Sequence, residues 1–450
     1  MIEKTGKQVK LWWMMLIVVI IWTITAGFWR DLSANNEEIY KGLKIFSDVL
    51  DIVENNYVEE VEKTELIEKA IQGMVQSLDP HSAFLPPRAL EELQVDTQGE
   101  FGGIGIEITR VKGVLTVISP IIGSPAHDAG VKTGDQIIKV NGTITKDMML
   151  YEAVKLMRGA KGTSVIITVI RQGEPEPLDF EIKRATIPIE SVRWINMRPG
   201  FGYVSITNFR ENTTKDLKKA LTAIEAEGPP LNGLILDLRD NPGGLLTQAV
   251  DVTDLFIKKG VIVSMKGRSG KNSKVYRATP NRIKRKYPIV VLINGGSASA
   301  SEIVAGALQD HQRALILGTT SFGKGSVQNV EALRDGYGLK LTIARYYTPK
   351  GNSIQAEGIE PDIVAEKHKT DTKKPKKHTR ITEKDLKNHL EPEVGEPGDT
   401  GETAPDTKKL KRGMISRHGP LELETLKNDS QVMNALELLV GYHIFQDIKG

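Results

Sequence analysis

Four short, almost continuous apolar runs recur in the second half of the chain, separated by segments with helical spacing. The runs are Phe201–Ile206, Leu234–Leu238, Ile289–Ile293 and Ala314–Leu317. Such runs are typical of strands that are buried on both faces of a parallel sheet. The helices predicted between them are Thr214–Ala226, Leu246–Phe256 and Ser301–Gln309. This alternation over residues 187–366 predicts an α/β domain with a partly parallel sheet.

Two regions precede this domain and differ in their hydrophobic spacing. Residues 35–98 place apolar side chains three and four positions apart from Ile45 onwards, which predicts two or three helices. Residues 99–186 instead contain short β-branched runs, such as Val114–Ile118 and Val165–Ile170. The second pattern predicts a small domain of short strands with one amphipathic helix.

The composition changes twice after the α/β domain. Residues 367–420 are rich in Lys, Glu, Pro and Gly and predict a disordered linker. Residues 421–450 regain helical spacing through Val432, Leu436 and Leu439. An amphipathic helix needs cover for its apolar face, so we expect it to pack on this chain or on a second one.

Residues 1–34 contain an apolar segment. Leu11–Phe28 has no charged residue and is long enough for a transmembrane helix. Three lysines precede it, which favours a cytoplasmic N-terminus. We expect an inner-membrane anchor with the catalytic part on the extracytoplasmic (periplasmic) side of the cell envelope. Export after cleavage of a signal peptide, near Ala26, is the alternative.

Composition adds limits to this picture. The chain has 450 residues, so two or three domains are expected, and its net charge of +3 is too small to indicate nucleic-acid binding. It contains no cysteine, which excludes disulfides and thiolate metal sites. We infer no metal and no cofactor.

Candidate chemistry follows the last two of the four buried strands. The loop after the third strand carries Ser297, Ser299 and Ser301, and the loop after the fourth carries Lys324. Parallel strands bring such loops to one edge of a sheet. A hydroxyl needs an adjacent base to become a good nucleophile, and a lysine is a base once burial lowers its pKa. The pattern predicts a serine–lysine pair without deciding which serine attacks.

Two other interpretations of these loops are open. Ser299 and Glu302 have the spacing of a capping box, in which the serine closes a helix N-terminus, and this is compatible with a nucleophile there. Gly318–Lys324 has the G-x-x-x-x-G-K spacing of a phosphate-binding loop. That motif continues with Ser or Thr, whereas residue 325 is glycine, so nucleotide binding is disfavoured.

The two loops resemble the active-site segments of the carboxyl-terminal processing (tail-specific) proteases. The resemblance rests on Gly296–Ile303 and Phe322–Gln328 and extends over roughly residues 39–366. It implies a crotonase/Clp-protease-like α/β core and cleavage through an acyl-enzyme. It also implies a Ser/Lys dyad, in which Ser299 is the nucleophile and Lys324 the base, supported by Gln328.

Acyl transfer also needs backbone N–H groups that stabilise an oxyanion. Ala300, directly after the implied nucleophile, is one candidate donor. The family resemblance places the other in the turn after the second buried strand, where Gly243 and Gly244 are both candidates. The sequence does not choose between these two glycines.

Residues 99–186 resemble a PDZ domain, through Phe101–Ile106, Ser124–Ala126 and Gly134–Gly142. PDZ domains hold a C-terminal carboxylate on backbone N–H groups while the bound peptide extends a sheet edge. The implied carboxylate-binding loop consists of Gly103, Ile104, Gly105 and Ile106. A polypeptide with a free C-terminus is therefore the expected partner.

The expectations combine into an α/β multidomain serine endopeptidase. Its parts are an N-terminal stub and membrane helix (1–34), a helical region (35–98), an inserted PDZ domain (99–186), the catalytic domain (187–366), a disordered linker (367–420) and a C-terminal helix (421–450). Membrane contact through the first helix and self-association through the terminal helices are expected, and nucleic-acid binding is not. The alternative is a catalytically silent PDZ scaffold in the cell envelope, which would have no reason to keep the Ser/Lys pair.

Overall fold

A computed structural model describes residues 12–15, 38–111, 113–146, 148–280, 285–366, 381–391 and 421–449. The chain divides into two compact units, Met1–Val75 and Gln76–Gly450. Helix α1 (38–56) and nearly all of α2 (Lys63–Gln76) belong to the first unit, as the spacing predicts. Within the described ranges, no helix combines the length and apolar character needed to span a bilayer. The predicted anchor Leu11–Phe28 lies outside the described residues, apart from 12–15.

The second unit begins with strand β1 (Ala83–Leu85) and helix α3 (Pro87–Gln98). Pro87 suits the first turn of α3, because a backbone N–H at that position would have no acceptor within the helix. Gly99 ends the helix in the left-handed conformation, with a φ of 75°. The chain then enters strand β2 (Glu100–Gly103), which pairs antiparallel with a strand much later in the sequence.

That later strand, β9, closes a small β domain. Its elements are β3 (Ile106–Val111), β4 (Val114–Pro120), α4 (Pro125–Asp128), β5 (Gln136–Val140), β6 (Thr143–Ile144), α5 (Leu150–Met157), β7 (Ser164–Ile170), β8 (Leu178–Lys183) and β9 (Ala185–Pro188). The strand order is β3-β4-β5-β7-β8, with β6 paired to β5. Alternate residues of β7, including Val165 and Ile167, are fully buried. The domain thus enters and leaves the rest of the unit through the two-stranded ribbon of β2 and β9.

The predicted α/β domain contains two sheets and three long helices. Its elements are β10 (Val192–Arg198), β11 (Phe201–Ile206), α6 (Thr213–Ala226), β12 (Gly233–Asp237), α7 (Leu246–Asp254), β13 (Val261–Gly267), β14 (Lys274–Arg277), β15 (Ile289–Ile293), α8 (Ala300–Asp310), β16 (Leu315–Gly318), β17 (Ser326–Ala332), β18 (Gly338–Tyr347) and β19 (Ile363–Val364). The main sheet has the order β10-β11-β12-β15-β16-β19 and is parallel from β11 onwards, which confirms the predicted partly parallel sheet. The second sheet has the order β1-β18-β13-β14, with β17 also paired to β18.

Both faces of the main sheet are covered, which explains its continuous apolar strands. One face, with Leu234 and Val291, joins a core that includes residues of α6, α7 and α8. The opposite face, with Ile235 and Leu292, packs against α9 (Leu423–Lys427) and α10 (Ser430–Lys449). The C-terminal helix therefore finds its cover on this chain.

An ion pair fixes the start of this helical segment to the main sheet. Arg239, just after β12, donates both to Asp237 beside it and to Asp429, with a shortest contact to Asp429 of 3.0 Å. Arg239 also donates to Gln431 at 2.7 Å. The guanidinium and its partners are almost fully buried. The ion pair therefore attaches the start of α10 to the main sheet and also fixes where α10 lies on that sheet.

Residues 381–391 depart from the prediction of a disordered linker. They contain a 3-10 turn, Glu383–Asp385, in which the side chain of Glu383 is completely buried. Glu383 contacts His81 and Gln355 in the body of the second unit. A buried, bonded carboxylate requires an ordered backbone, so this part of the segment is structured. The rest of the predicted linker, 367–380 and 392–420, lies outside the described residues.

Candidate active site

The serine loop lies between the end of β15 and the start of α8. The hydroxyl of Ser297 donates to the carbonyl of Leu238 at 2.8 Å, and that of Ser301 donates to the carbonyl of Asn241 at 2.9 Å. Both hydroxyls therefore attach the loop to the segment after β12. Among the three serines, Ser299 is the one whose hydroxyl donates to no backbone carbonyl of the described residues.

Ser299 has an unusual backbone conformation directly before α8. Its φ is 57° and its ψ is −111°, a region that residues with a side chain rarely occupy. Such a conformation costs on the order of 1–3 kcal/mol and persists only where the surroundings impose it. Here the N–H of Ser299 donates to the carboxylate of Glu302 at 2.7 Å. The predicted capping-box partner is thus present and holds the strained residue.

The carboxylate of Glu302 joins the serine loop to the lysine loop. One oxygen accepts from the N–H of Ser299 at 2.7 Å and from that of Lys324 at 3.0 Å. The other accepts from Ser321 Oγ at 2.6 Å and from the N–H of Gly323 at 2.7 Å. Glu302 is completely buried, and burial raises its pKa to about 7 even though these hydrogen bonds act in the opposite direction. One side chain therefore fixes the distance between the two loops.

Lys324 lies between β16 and β17, with its side chain half-buried. Burial, together with the like charge of Lys340, lowers the pKa of Lys324 to about 8. Three carboxylates oppose this shift, those of Glu383, Glu302 and Asp79. A lysine with this pKa is neutral for a substantial fraction of the time slightly above neutral pH, as a general base requires.

Ser299 and Lys324 share Glu302, but no hydrogen bond between described residues joins the serine hydroxyl to the lysine amine. The hydroxyl of Ser299 instead lies 2.8 Å from the phenol oxygen of Tyr346. Burial raises the pKa of Tyr346, so this partner is a neutral phenol. Catalytic hydrogen bonds are often long or unformed without substrate, so the missing contact does not exclude the pair. Sequence reasoning missed Tyr346, which is 47 residues from Ser299 and belongs to no recognisable motif.

Gln328 makes other contacts than the one implied by the resemblance. Its amide nitrogen donates to Ser326 Oγ at 2.9 Å and to Thr342 Oγ1 at 3.3 Å. Thr342 in turn donates to the carboxylate of Asp79 at 3.1 Å. Gln328 therefore belongs to a polar network that extends to the Asp79 turn, and none of its described hydrogen bonds reaches Lys324.

Two of the three candidate oxyanion residues, Gly243 and Ala300, lie next to Ser299. A Cβ placed on Gly243 would come 2.8 Å from the Cβ of Ser299, and Gly243 has a φ of 101°. Its N–H is already used, because it donates to Asn241 Oδ1 at 2.9 Å. No described residue accepts from the N–H of Gly244 or of Ala300, the first residue of α8. Of the two candidate glycines, Gly244 is the one with an available donor.

The lysine loop does not have the form of a phosphate cradle. A phosphate-binding loop directs its backbone N–H groups at the ligand. In this chain the N–H groups of Gly323 and Lys324 donate to Glu302, and that of Gly325 donates to Gln355. The donors that would hold a phosphate are occupied by protein acceptors.

The predicted carboxylate-binding loop connects β2 to β3. Ile104 is buried and its carbonyl accepts from Ala126 at 2.9 Å. Gly105 has a φ of 76°, and a Cβ there would come 2.3 Å from that of Ser124, so only glycine fits. No described residue accepts from the N–H of Ile104 or Gly105. The carbonyl of Ile104 thus attaches the loop to the rest of the domain, while the N–H groups of Ile104 and Gly105 remain available to a ligand.

Comparison with known proteins agrees with this architecture. Residues 200–365 match Peptidase family S41, residues 116–171 match the PDZ domain, and residues 26–87 match the N-terminal domain of the activating protease CtpB.

Two relatives are similar over most of their length. A carboxy-terminal-processing protease of Bartonella bacilliformis is 47% identical over 75% of this chain and 78% of the relative. The carboxy-terminal processing protease CtpA of Bacillus subtilis is 37% identical over 80% of this chain and 78% of the relative. A solved structure titled photosystem II D1 C-terminal processing protease has 33% identity and a TM-score of 0.41, over 71% of this chain and 92% of that one. The chain belongs to Peptidase family S41 and is a serine protease that carries a PDZ domain.

Proposed function

We propose that this protease binds the C-terminal tails of polypeptides through its PDZ domain and cleaves them with Ser299 as nucleophile and Lys324 as base. The observation that carries the assignment is the carboxylate of Glu302, which bonds the backbones of both residues. Relatives named carboxy-terminal processing proteases support this substrate class.

The chemistry follows from the groups at the site. The neutral amine of Lys324 takes the proton of the Ser299 hydroxyl as its oxygen attacks the scissile carbonyl carbon. The N–H groups of Gly244 and Ala300 stabilise the negative oxygen of the tetrahedral intermediate. When the intermediate collapses, the peptide C–N bond breaks and the leaving amine receives the proton from Lys324. In the second half of the reaction, Lys324 takes a proton from water as the water oxygen attacks the acyl carbon. The ester bond to Ser299 then breaks, the serine oxygen receives the proton from Lys324, and the acyl group leaves as a carboxylic acid.

The PDZ loop supplies recognition. We propose that the N–H groups of Ile104 and Gly105 receive the α-carboxylate of the substrate tail, with Gly103 and Ile106 completing the loop. Charge-assisted hydrogen bonds of this kind contribute roughly 1.5–3 kcal/mol each. A tail ending in a free carboxylate should therefore bind at least about tenfold more tightly than its amide.

Several finer assignments are proposals too. We propose a crotonase/Clp-protease-like core, an inner-membrane anchor at Leu11–Phe28 and a catalytic part on the periplasmic side of the membrane, with export after signal cleavage as the alternative. Self-association through the terminal helices is supported by exposed apolar side chains on α10, among them Ile444, Phe445 and Ile448.

The test uses the purified full chain and a reporter polypeptide with an apolar, free C-terminus. We expect cleavage by the wild type and none by Ser299→Ala, while Ser297→Ala keeps the nucleophile. Lys324→Arg should be inactive, because a guanidinium does not deprotonate at working pH. The rate should rise through a pH of about 8 as Lys324 loses its proton. Turnover by Ser299→Ala, or equal binding of acid and amide tails, would contradict the proposal.

A further inference from the structure

Residues 381–391, here called the strap, pack against the loop that carries Lys324. The strap follows the matched catalytic residues 200–365 in the chain. The N–H of Glu383 donates to the carbonyl of Phe322 at 3.1 Å, two residues before Lys324. The side chain of Glu383 is completely buried, and a carboxylate is stable in such a place only with partners.

The first partner connects the strap to the other side of Lys324. Gln355, also completely buried, donates its amide nitrogen to Glu383 at 3.0 Å. The amide oxygen of Gln355 accepts from the N–H of Gly325 at 3.0 Å. Phe322, Gly325, Gln355 and Glu383 therefore form a closed series of contacts around Lys324. The lysine backbone is held by the strap on one side and by Glu302 on the other.

The second partner connects the strap to the network of Gln328. His81 Nε2 lies 2.8 Å from each carboxylate oxygen of Glu383. The turn that carries His81 is fixed by Asp79, which accepts from the N–H of His81 at 2.8 Å and from the hydroxyl of Thr342 at 3.1 Å. Thr342 accepts from Gln328 at 3.3 Å. Two separate paths thus join Glu383 to the surroundings of the base.

We propose that Glu383 is a positioning residue for proteolysis and that the docked strap holds Lys324 in its place at the active site. The proposal rests on Lys324 as the base. In this proposal the strap, which lies beyond the matched residues 200–365, is part of the active site. A strap that has left its place would remove the contact between Glu383 and Phe322, and it would leave the amide nitrogen of Gln355 and the ring of His81 without Glu383. The lysine loop would then lose its support on that side.

Glu383 also acts on the charge of the lysine. The charged groups that influence Lys324 are Lys340, Glu383, Glu302 and Asp79. A nearby carboxylate favours the ammonium form, so Glu383 raises the pKa of Lys324 against the effect of burial. Removing this charge while keeping the hydrogen bonds should make the amine neutral at lower pH. Losing the hydrogen bonds of Glu383 should therefore lower the rate, whereas losing only its charge should shift the pH dependence of the rate.

The experiment measures the rate at which a fluorophosphonate probe labels Ser299 in the full chain, across a range of pH. Glu383→Ala removes contact and charge, and we expect its plateau rate to fall at least about tenfold, since a general base typically contributes 10²–10⁴-fold. Glu383→Gln can still bond Gln355 and His81, so it should keep the wild-type plateau. The ascending limb of its pH–rate profile for labelling should lie at lower pH than that of the wild type.

The matched control is Lys387→Ala, an exposed residue of the same strap, which should label as the wild type does. A fall in the plateau for Glu383→Ala together with a displaced limb for Glu383→Gln would support the proposal, whereas a purely structural role would leave the limb in place. Wild-type labelling by both Glu383 variants, or an unmoved limb in Glu383→Gln, would overturn it. Labelling of Ser299→Ala would instead overturn the nucleophile assignment, so the two failures are distinguishable.

Discussion

The hydroxyl of Ser299 and the phenol of Tyr346 lie 2.8 Å apart, and both residues are buried. Tyr346 is the last but one residue of β18, and its N–H donates to the carbonyl of Gly325 at 2.9 Å, next to Lys324. Either oxygen can be the donor in this hydrogen bond. Where the serine hydroxyl donates, the bond must break before Lys324, as the proposed base, can accept the serine proton.

We expect Tyr346→Phe to react faster than the wild type with a small fluorophosphonate. The substitution removes the competing hydrogen bond, which is worth roughly 0.5–1.5 kcal/mol and corresponds to about a two- to tenfold faster rate. Tyr347→Phe is the matched control, because the Tyr347 ring contacts Lys266 instead. A slower rate for Tyr346→Phe at unchanged thermal stability would show that the phenol orients the nucleophile.

Lys340→Met should displace the pH dependence of proteolysis. The positive charge of Lys340 lowers the pKa of Lys324, so removing it raises that pKa and leaves less neutral amine at a given pH. The ascending limb should therefore move to higher pH, opposite to the shift expected for Glu383→Gln. Lys258→Met, at an exposed position of the same domain, serves as the control in the same pH–rate titration. An unmoved limb in Lys340→Met would contradict this electrostatic account.

Glu302→Gln should lower both stability and activity. A carboxylate accepts from all four donors, whereas the amide NH₂ of glutamine would face two of them. Each buried donor left unpaired costs about 1–3 kcal/mol, so thermal denaturation should show a lower midpoint and labelling of Ser299 should slow. Glu331→Gln, an exposed glutamate in β17, removes the same charge without these contacts. Equal behaviour of the two variants would show that Glu302 does not couple the loops.

Gly243→Ala should abolish labelling of Ser299. The new methyl group would lie 2.8 Å from both the carbonyl of Ala298 and the Cβ of Ser299, at a φ of 101° that alanine rarely adopts. Gly228→Ala is a close control, since Gly228 has a φ of 93° but nothing within 4 Å of an added Cβ. Strain at φ is common to both variants, so their difference in labelling rate isolates the crowding at the serine. Comparable rates would remove Gly243 from the site.

Strands with both faces buried were predictable almost to the residue. Phe201–Ile206 and Ile289–Ile293 have the observed bounds, because a continuous apolar run between turns has few other structures open to it. The observed helix α8 (Ala300–Asp310) extends the predicted helix Ser301–Gln309 by one residue at each end. Local pattern decides these elements.

The partners inside the site were less accessible to prediction. Tyr346 reaches Ser299 because antiparallel pairing with β13 sets the register of β18. Glu383 looks like one charge among many in a segment of low hydrophobicity, and its burial depends on His81, 302 positions earlier in the chain. Both contacts join residues that are far apart in the sequence, 47 and 302 positions, so the local hydrophobic spacing that predicts helices and strands gives no sign of them.

The position of α10 on the main sheet has a consequence for the order of events during synthesis. A ribosome completes Lys324 about a hundred residues before Leu436, which at about 5–20 residues per second is on the order of ten seconds. Until then the face of the sheet with Ile235 and Leu292 has no helix to cover it. A growing chain therefore carries the proposed nucleophile for some time on a sheet that lacks one of its two covering layers.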